Sequence, residues 1–219
     1  MKILFFGDSV TDASRRRGSD DAGRVKEEHL IFPTAYGSGY VFLTAAELAY
    51  SAPCRHEILN RGIGGDRLPQ LYARIGLDVW SEKPDLISIL VGVNDVARPD
   101  NPNSTDLERW GRIYRMMIRD TMEKCPNAKL IICEPFSLRA NDLDKNAPEE
   151  TTVLAYAKEA RRIAEEFSIP FVPLQEKISA AAEAYGSAAC LHDNIHPNLL
   201  GSKIISTEWL KVFRENFEG

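Results

Sequence analysis

The sequence predicts an α/β protein, a three-layer α/β/α sandwich built on a five-stranded parallel sheet. Three observations predict it. Five short apolar runs alternate along the chain with segments of helical periodicity, the order expected of β-α-β units. The first run is apolar without interruption, as strands buried on both faces are. No internal repeat, low-complexity tract or linker divides the chain, and crossovers between parallel strands are nearly always right-handed.

The 219 residues suffice for one domain spanning 1–219 with a sizeable core. The composition, 44% hydrophobic and 27% charged with a net charge of -5, gives no reason to expect a nucleic-acid partner. The cysteines Cys54, Cys125, Cys133 and Cys190 are scattered without metal-ligand spacing, and read as core residues or plain thiols of a reducing compartment. The first strand begins two residues after Met1, leaving no room for a signal peptide, and no apolar run approaches the ~20 residues of a membrane span. A cytoplasmic location and no membrane partner are the expectations.

The first strand is Ile3-Leu4-Phe5-Phe6, cut off by the tight turn Gly7-Asp8-Ser9. Thr11 to Pro33 is polar and densely charged, with Arg15-Arg16-Arg17, Asp20-Asp21 and Glu27-Glu28. It reads as a long surface loop walling the site Ser9 faces; its basic triplet either binds an anionic group or is simply solvated. Tyr40, Val41, Leu43, Thr44, Glu47 and Leu48 recur at helical spacing from Gly39 until Pro53. A strand at Glu57–Asn60 enters the cluster Gly62-Ile63-Gly64-Gly65-Asp66, and Leu68, Leu71, Tyr72 and Ile75 carry the next helix. The run Asp85–Val91 is a buried strand closing on Gly92-Val93-Asn94-Asp95. Trp110, Ile113, Met117 and Ile118 define a helix over Asp106–Lys124, before the strand Lys129–Cys133. A helix over about Pro148–Phe167, a short strand at Pro170–Pro173, and helices over Leu174–Tyr185 and Leu199–Asn216 complete the series. Three successive strands thus end in small polar clusters, at Ser9, Gly64-Gly65 and Asn94. In a parallel sheet these share the carboxyl edge, where open α/β sheets bind ligands.

Taken alone, Gly7-Asp8-Ser9 is equally a helix cap, or the phosphate loop of a flavodoxin-like nucleotide binder. The stretch from Leu191 to Gly201 supplies what the serine lacks. A hydroxyl is a poor nucleophile until a base takes its proton, and histidine titrates near the working pH. The imidazole must in turn be held in one tautomer by an acceptor on its other nitrogen, and Asp193 lies three residues before His196. Pro197 disfavours helical dihedrals at His196 and keeps this segment a loop. It also opposes a zinc reading of His192 and His196 as a helical ligand pair, so neither metal nor cofactor is expected. His29 and His56 read as packing or capping residues.

Four blocks now stand in order: Gly7-Asp8-Ser9-Val10, Asn60-x-Gly62-x-Gly64-Gly65, Gly92-x-Asn94-Asp95 and Asp193-x-x-His196-Pro197-Asn198. In them the chain resembles the SGNH hydrolases, also called the GDSL esterase/lipase family, over nearly its whole length. Val10 replaces the usual Leu beside the serine. The resemblance implies the flavodoxin-like SGNH hydrolase fold and a serine esterase with Ser9 as nucleophile, His196 as general base and then acid, and Asp193 orienting it. It implies an oxyanion hole made of the Ser9 N–H, the Gly65 N–H and the Asn94 side-chain amide, with Gly64 the rival of Gly65. Asp8 and Asp95 would be carboxylates that hold the loops. Within the family the chain looks most like bacterial intracellular esterases that deacetylate xylo-oligosaccharides. That implies a small-molecule ester substrate and, as is common among such relatives, a homo-oligomer. A lysophospholipase or thioesterase, and a non-catalytic ligand-binding module, are the alternatives.

Overall fold

The computed structural model describes residues 1–16, 33–96, 103–138 and 150–218. Its centre is β1 (Lys2–Gly7), in which Ile3, Leu4, Phe5 and Phe6 are fully buried. The run is apolar on both faces because helices cover both. The Phe5 ring packs on Tyr40 and Trp209, with centroids 5.7 and 4.9 Å away, whereas Phe6 on the opposite face lies 4.5 Å beneath the Arg74 guanidinium.

Around β1 stand β2 (Glu57–Gly62), β3 (Leu86–Leu90), β4 (Lys129–Cys133) and β5 (Phe171–Val172), in the spatial order β2-β1-β3-β4-β5 and all parallel. On one face α2 (Tyr40–Ser51) packs against α8 (Leu199–Phe217), joined by a Thr44–Ser206 hydrogen bond of 3.0 Å. On the other lie α3 (Leu68–Asp78), α4 (Leu107–Lys124) and α5 (Glu150–Glu166) in series. Tyr72 bonds Asp120 between α3 and α4, and Arg115 bonds Glu159 at 2.8 Å between α4 and α5. Of the α4 stripe foreseen from Trp110, Ile113, Met117 and Ile118, Ile113 is partly buried and the other three fully, and Asp106 caps the helix through the Arg109 N–H. The helices α6 (Gln175–Tyr185) and α7 (Ser187–Cys190) precede the last loop.

The register sets the site. Gly7 is level with Gly62 of β2 and with Leu90 of β3. The loops leaving β1, β2 and β3 therefore start side by side at the carboxyl edge of the sheet.

The sequence reading departs from the fold in a few places. Thr11 and Asp12 belong to a one-turn helix, α1 (Ser9–Asp12), and Pro33–Tyr36 forms a 3₁₀ turn, so the expected loop is shorter than Thr11–Pro33. Its remaining charged residues Arg17, Asp20, Asp21, Arg24, Lys26, Glu27 and Glu28, together with His29, lie outside the described residues. The helix α7 was not foreseen, because four residues carry no period to detect. All four cysteines are free thiols, and Cys54 alone of them is exposed. His56 packs edge-on against Phe213. Among the described residues no helix is long and apolar enough to cross a membrane.

Phe5 joins α2 and α8 to the central strand. Phe5→Ala should destabilise the protein by about 3–5 kcal/mol, as large-to-small changes at buried aromatic positions do. Urea unfolding should show a lower midpoint at unchanged slope; a midpoint within error of the wild type would mean that Phe5 is not structurally central.

Candidate active site

The nucleophile candidate is presented by a cap. Asp8 follows β1, and its carboxylate accepts the Val10 N–H at 3.0 Å, which starts α1 and leaves Ser9 as the first helical residue. The turn ends at Ala13, whose left-handed backbone (φ 43°) lets its N–H reach the Ser9 carbonyl at 2.9 Å. The capping reading and the nucleophile reading of Gly7-Asp8-Ser9 are thus compatible: the cap points the serine.

Beside it, the end of β2 comes unusually close. A Cβ on Gly62 would stand 2.2 Å from the Asp12 amide nitrogen, so glycine is the residue that lets α1 lie there. The Asn60 side chain donates to the carbonyls of Thr11 (2.7 Å) and Tyr36 (2.9 Å) and accepts the Gly62 N–H (2.9 Å), tying both segments to β2. Arg15 is buried and donates to the Gly62 carbonyl at 3.0 Å. It is a strut of the site, not the anion-binding residue of an open loop. The Asp12 carboxylate accepts the Gly64 N–H at 3.1 Å, whereas the N–H groups of Ser9 and Gly65 meet no partner among the described residues. Gly65 has φ +82°, a conformation that favours glycine. On the β3 side, Asn94 sits in the 3₁₀ turn Val93–Asp95 and its amide donates to the Asp66 carbonyl at 3.1 Å. Arg74, on α3, donates to the carbonyls of Gly7 (3.1 Å) and Arg61 (2.8 Å) and pairs with Asp66 (2.7 Å), locking the ends of β1 and β2 together.

The third piece is the loop before α8. Leu191 and Pro197 form an antiparallel bridge, the His192 N–H donates to the His196 carbonyl at 3.0 Å, and Asn194 at the tip takes φ 68°. Within this folded-back loop one oxygen of Asp193 accepts the N–H groups of Ile195 (3.2 Å) and His196 (2.7 Å), and the other lies 2.6 Å from His196 Nδ1. Partial burial pushes the Asp193 carboxyl upward, but the His196 N–H, the imidazole and the Ile195 N–H outweigh it and hold it below its ordinary value. His196 Nε2 then lies 2.7 Å from Ser9 Oγ, across 187 residues of sequence. A continuous hydrogen-bonded line of carboxylate, imidazole and hydroxyl can take a proton from the hydroxyl as it attacks.

The family model described as GDSL-like lipase/acylhydrolase matches residues 5–204. The chain belongs to this family. It is 32% identical over 214 residues to the acetylxylan esterase of Geobacillus stearothermophilus, covering 96% of this chain and 92% of that one. Among solved structures it is similar to a GDSL-like lipase from Parabacteroides merdae, with a TM-score of 0.84 and 33% identity over 96% of this chain and 94% of that one. It is also similar to Axe2, the acetylxylan esterase of Geobacillus stearothermophilus, with a TM-score of 0.80 and 30% identity over 96% and 93%. As a GDSL acylhydrolase the chain is a carboxylic ester hydrolase.

Two carboxylates of the GDSL site sit in unusual surroundings. Asp8 is 1% exposed, and burial, helped by the negative charges of Asp95 and Asp66 and opposed by the Val10 N–H, pushes its carboxyl up to about 7. Asp95 is fully buried; it accepts the Leu68 N–H at 3.1 and 3.2 Å, which caps α3, and burial pushes it up to about 6. Both hold loops, as the resemblance implies. Arg74 and Asp12 had no signal in the sequence, because their roles come from carbonyls and amides brought near by the fold.

The Asp8 carboxyl is bound to its proton more tightly in the folded protein than at its ordinary value of 3.8. Stability from this group is therefore full at low pH and is lost as pH rises toward 7, above which the loss is constant. Asp8→Asn, which keeps an acceptor for Val10, should gain stability relative to the wild type between pH 4 and pH 7 and hold that gain at pH 8. Urea midpoints of the two proteins at pH 5 and pH 8 check this; an equal difference at both would mean that Asp8 is ordinarily ionised.

Proposed function

We propose that this GDSL hydrolase removes small acyl groups, above all acetyl, from carbohydrate esters such as acetylated xylo-oligosaccharides. The observation that carries the catalytic part is the unbroken line Asp193 Oδ2, His196 Nδ1, His196 Nε2, Ser9 Oγ, with gaps of 2.6 and 2.7 Å. Ser9 Oγ attacks the ester carbonyl and gives its proton to His196 Nε2, while His196 Nδ1 keeps its proton and donates it in a hydrogen bond to Asp193. The imidazolium gives the proton to the departing sugar oxygen, which leaves as a hydroxyl, and water repeats the cycle on the acyl-enzyme. The oxyanion meets the N–H groups of Ser9 and Gly65 and the Asn94 amide. Gly65 is preferred to Gly64 because the Gly64 N–H already donates to Asp12.

The substrate class rests on the relatives. Axe2 is described as an acetyl-xylooligosaccharide esterase, and two of its solved structures are catalytic mutants in which a serine and an aspartate are replaced by alanine. Those residue types are the ones assigned here at Ser9 and Asp193.

Hydrolysis of p-nitrophenyl esters from acetate to decanoate, followed by acetylated xylo-oligosaccharides, tests the proposal. Rates should be highest on acetate, and Ser9→Ala should abolish them. Rates that climb with chain length would instead favour a lysophospholipase or thioesterase, and full activity of Ser9→Ala would remove the serine from the mechanism. Asn94→Ala should lower kcat by about 10²–10³, the ~2.7–4 kcal/mol that one oxyanion donor supplies; unchanged turnover would exclude it from the oxyanion hole.

A further inference from the structure

We propose that His192, Asp193 and His196 form a binding site for a divalent transition-metal ion, zinc in the first instance, whose occupancy switches the hydrolase off. His196 Nδ1 and His192 Nε2 lie 2.6 and 3.5 Å from the same oxygen, Asp193 Oδ2, and the three ligand atoms are all within 4.8 Å of one another. The two imidazoles are stacked, with centroids 5.5 Å apart and planes 24° from parallel. Two imidazoles and a carboxylate, with water in the fourth position, are a donor set that suits zinc; calcium and magnesium ask for more oxygen ligands.

Pro197 opposes a ligand pair carried on a helix through both histidines. The loop brings them together differently: the Leu191–Pro197 bridge and the His192 N–H bond to the His196 carbonyl double the backbone back, so that residues four apart face each other. The site is open to water, since the side chains of His192, Asp193 and His196 are 65%, 31% and 35% exposed. His192, the most exposed, is free to swing toward the ion.

Binding breaks the Nδ1–H···Oδ2 hydrogen bond. The Nδ1 proton passes by way of solvent to Nε2, so that the ring stays neutral as its Nε2–H tautomer, and a metal–nitrogen bond forms at Nδ1 in place of the lost N–H. Asp193 is then drawn onto the ion, and Nε2, now an N–H donor, has no lone pair left to accept the Ser9 proton. The inhibition rests on the serine-hydrolase reading above; the binding does not.

The test is a calorimetric titration of zinc chloride into the full chain carrying Cys54→Ser, since the exposed Cys54 thiol would itself take zinc. One zinc per chain, removable by EDTA, is expected. In the same background His192→Gln should weaken binding by at least the roughly 10–100-fold that loss of even an outer partner of a metal ligand costs. Cobalt(II), used as a spectroscopic probe, should give visible bands that His192→Gln removes. Acetate hydrolysis, expressed relative to each protein's own zinc-free rate, should fall with zinc in the parent and resist it in His192→Gln. Absence of saturable uptake, or uptake of equal affinity in His192→Gln, overturns the site. Uptake that depends on His192 in a protein without esterase activity upholds the site and overturns the catalytic reading alone.

Discussion

The site depends on one close approach, that of the first helical turn to the end of the neighbouring strand. The Asp12 amide stands where a side chain at position 62 would begin, and Gly62 alone makes room for it. Around that contact the chain places directed bonds from Asn60, Arg15 and Asp12 that tie α1 and the residues just after it to the end of β2 and the loop that follows. Each of these side chains is buried or nearly so, where an unmade hydrogen bond would be expensive, and the contact is thereby fixed in both distance and orientation. The parallel register that levels Gly7 with Gly62 and Leu90 supplies the plane on which these loops stand.

The electrostatics follow from the same geometry. Bringing three loops to one edge crowds Asp8, Asp66 and Asp95 beneath the serine, and the protein answers differently at each. Asp66 receives the Arg74 guanidinium, Asp95 receives the amide that opens α3, and Asp8 receives one amide and little else. The carboxyl with least compensation is the one pushed furthest upward. Asp193 lies in a different setting, half open and bonded to two amides and an imidazole, and its shift has the opposite sign.

How much of this was legible depended on whether the cause was local. The strands of the sheet were readable because burial on both faces leaves an apolar run, as in Ile3-Leu4-Phe5-Phe6, and α4 because its stripe holds its period for many turns. Asp193 and His196 were readable as partners because they lie three positions apart in one loop. Nothing local distinguishes Arg15 from Arg16 beside it; one is a buried strut and the other is exposed, and only the Gly62 carbonyl decides. The upward shift of Asp8 was likewise invisible, because burial belongs to the whole fold, and His192 and His196 were readable only as a helical pair that Pro197 opposes, because the loop's doubling back has no periodic signature.

The division of the site between the two ends of the chain bears on how such a protein is made. Ribosomes deliver Ser9 first, and the imbalance lasts for 187 residues until its imidazole partner appears. An unfinished copy, or one clipped ahead of the final loop, carries the residues of all five strands yet lacks the imidazole that meets Ser9 Oγ. On the serine-hydrolase proposal, hydrolysis therefore waits until the loop before α8 has been made.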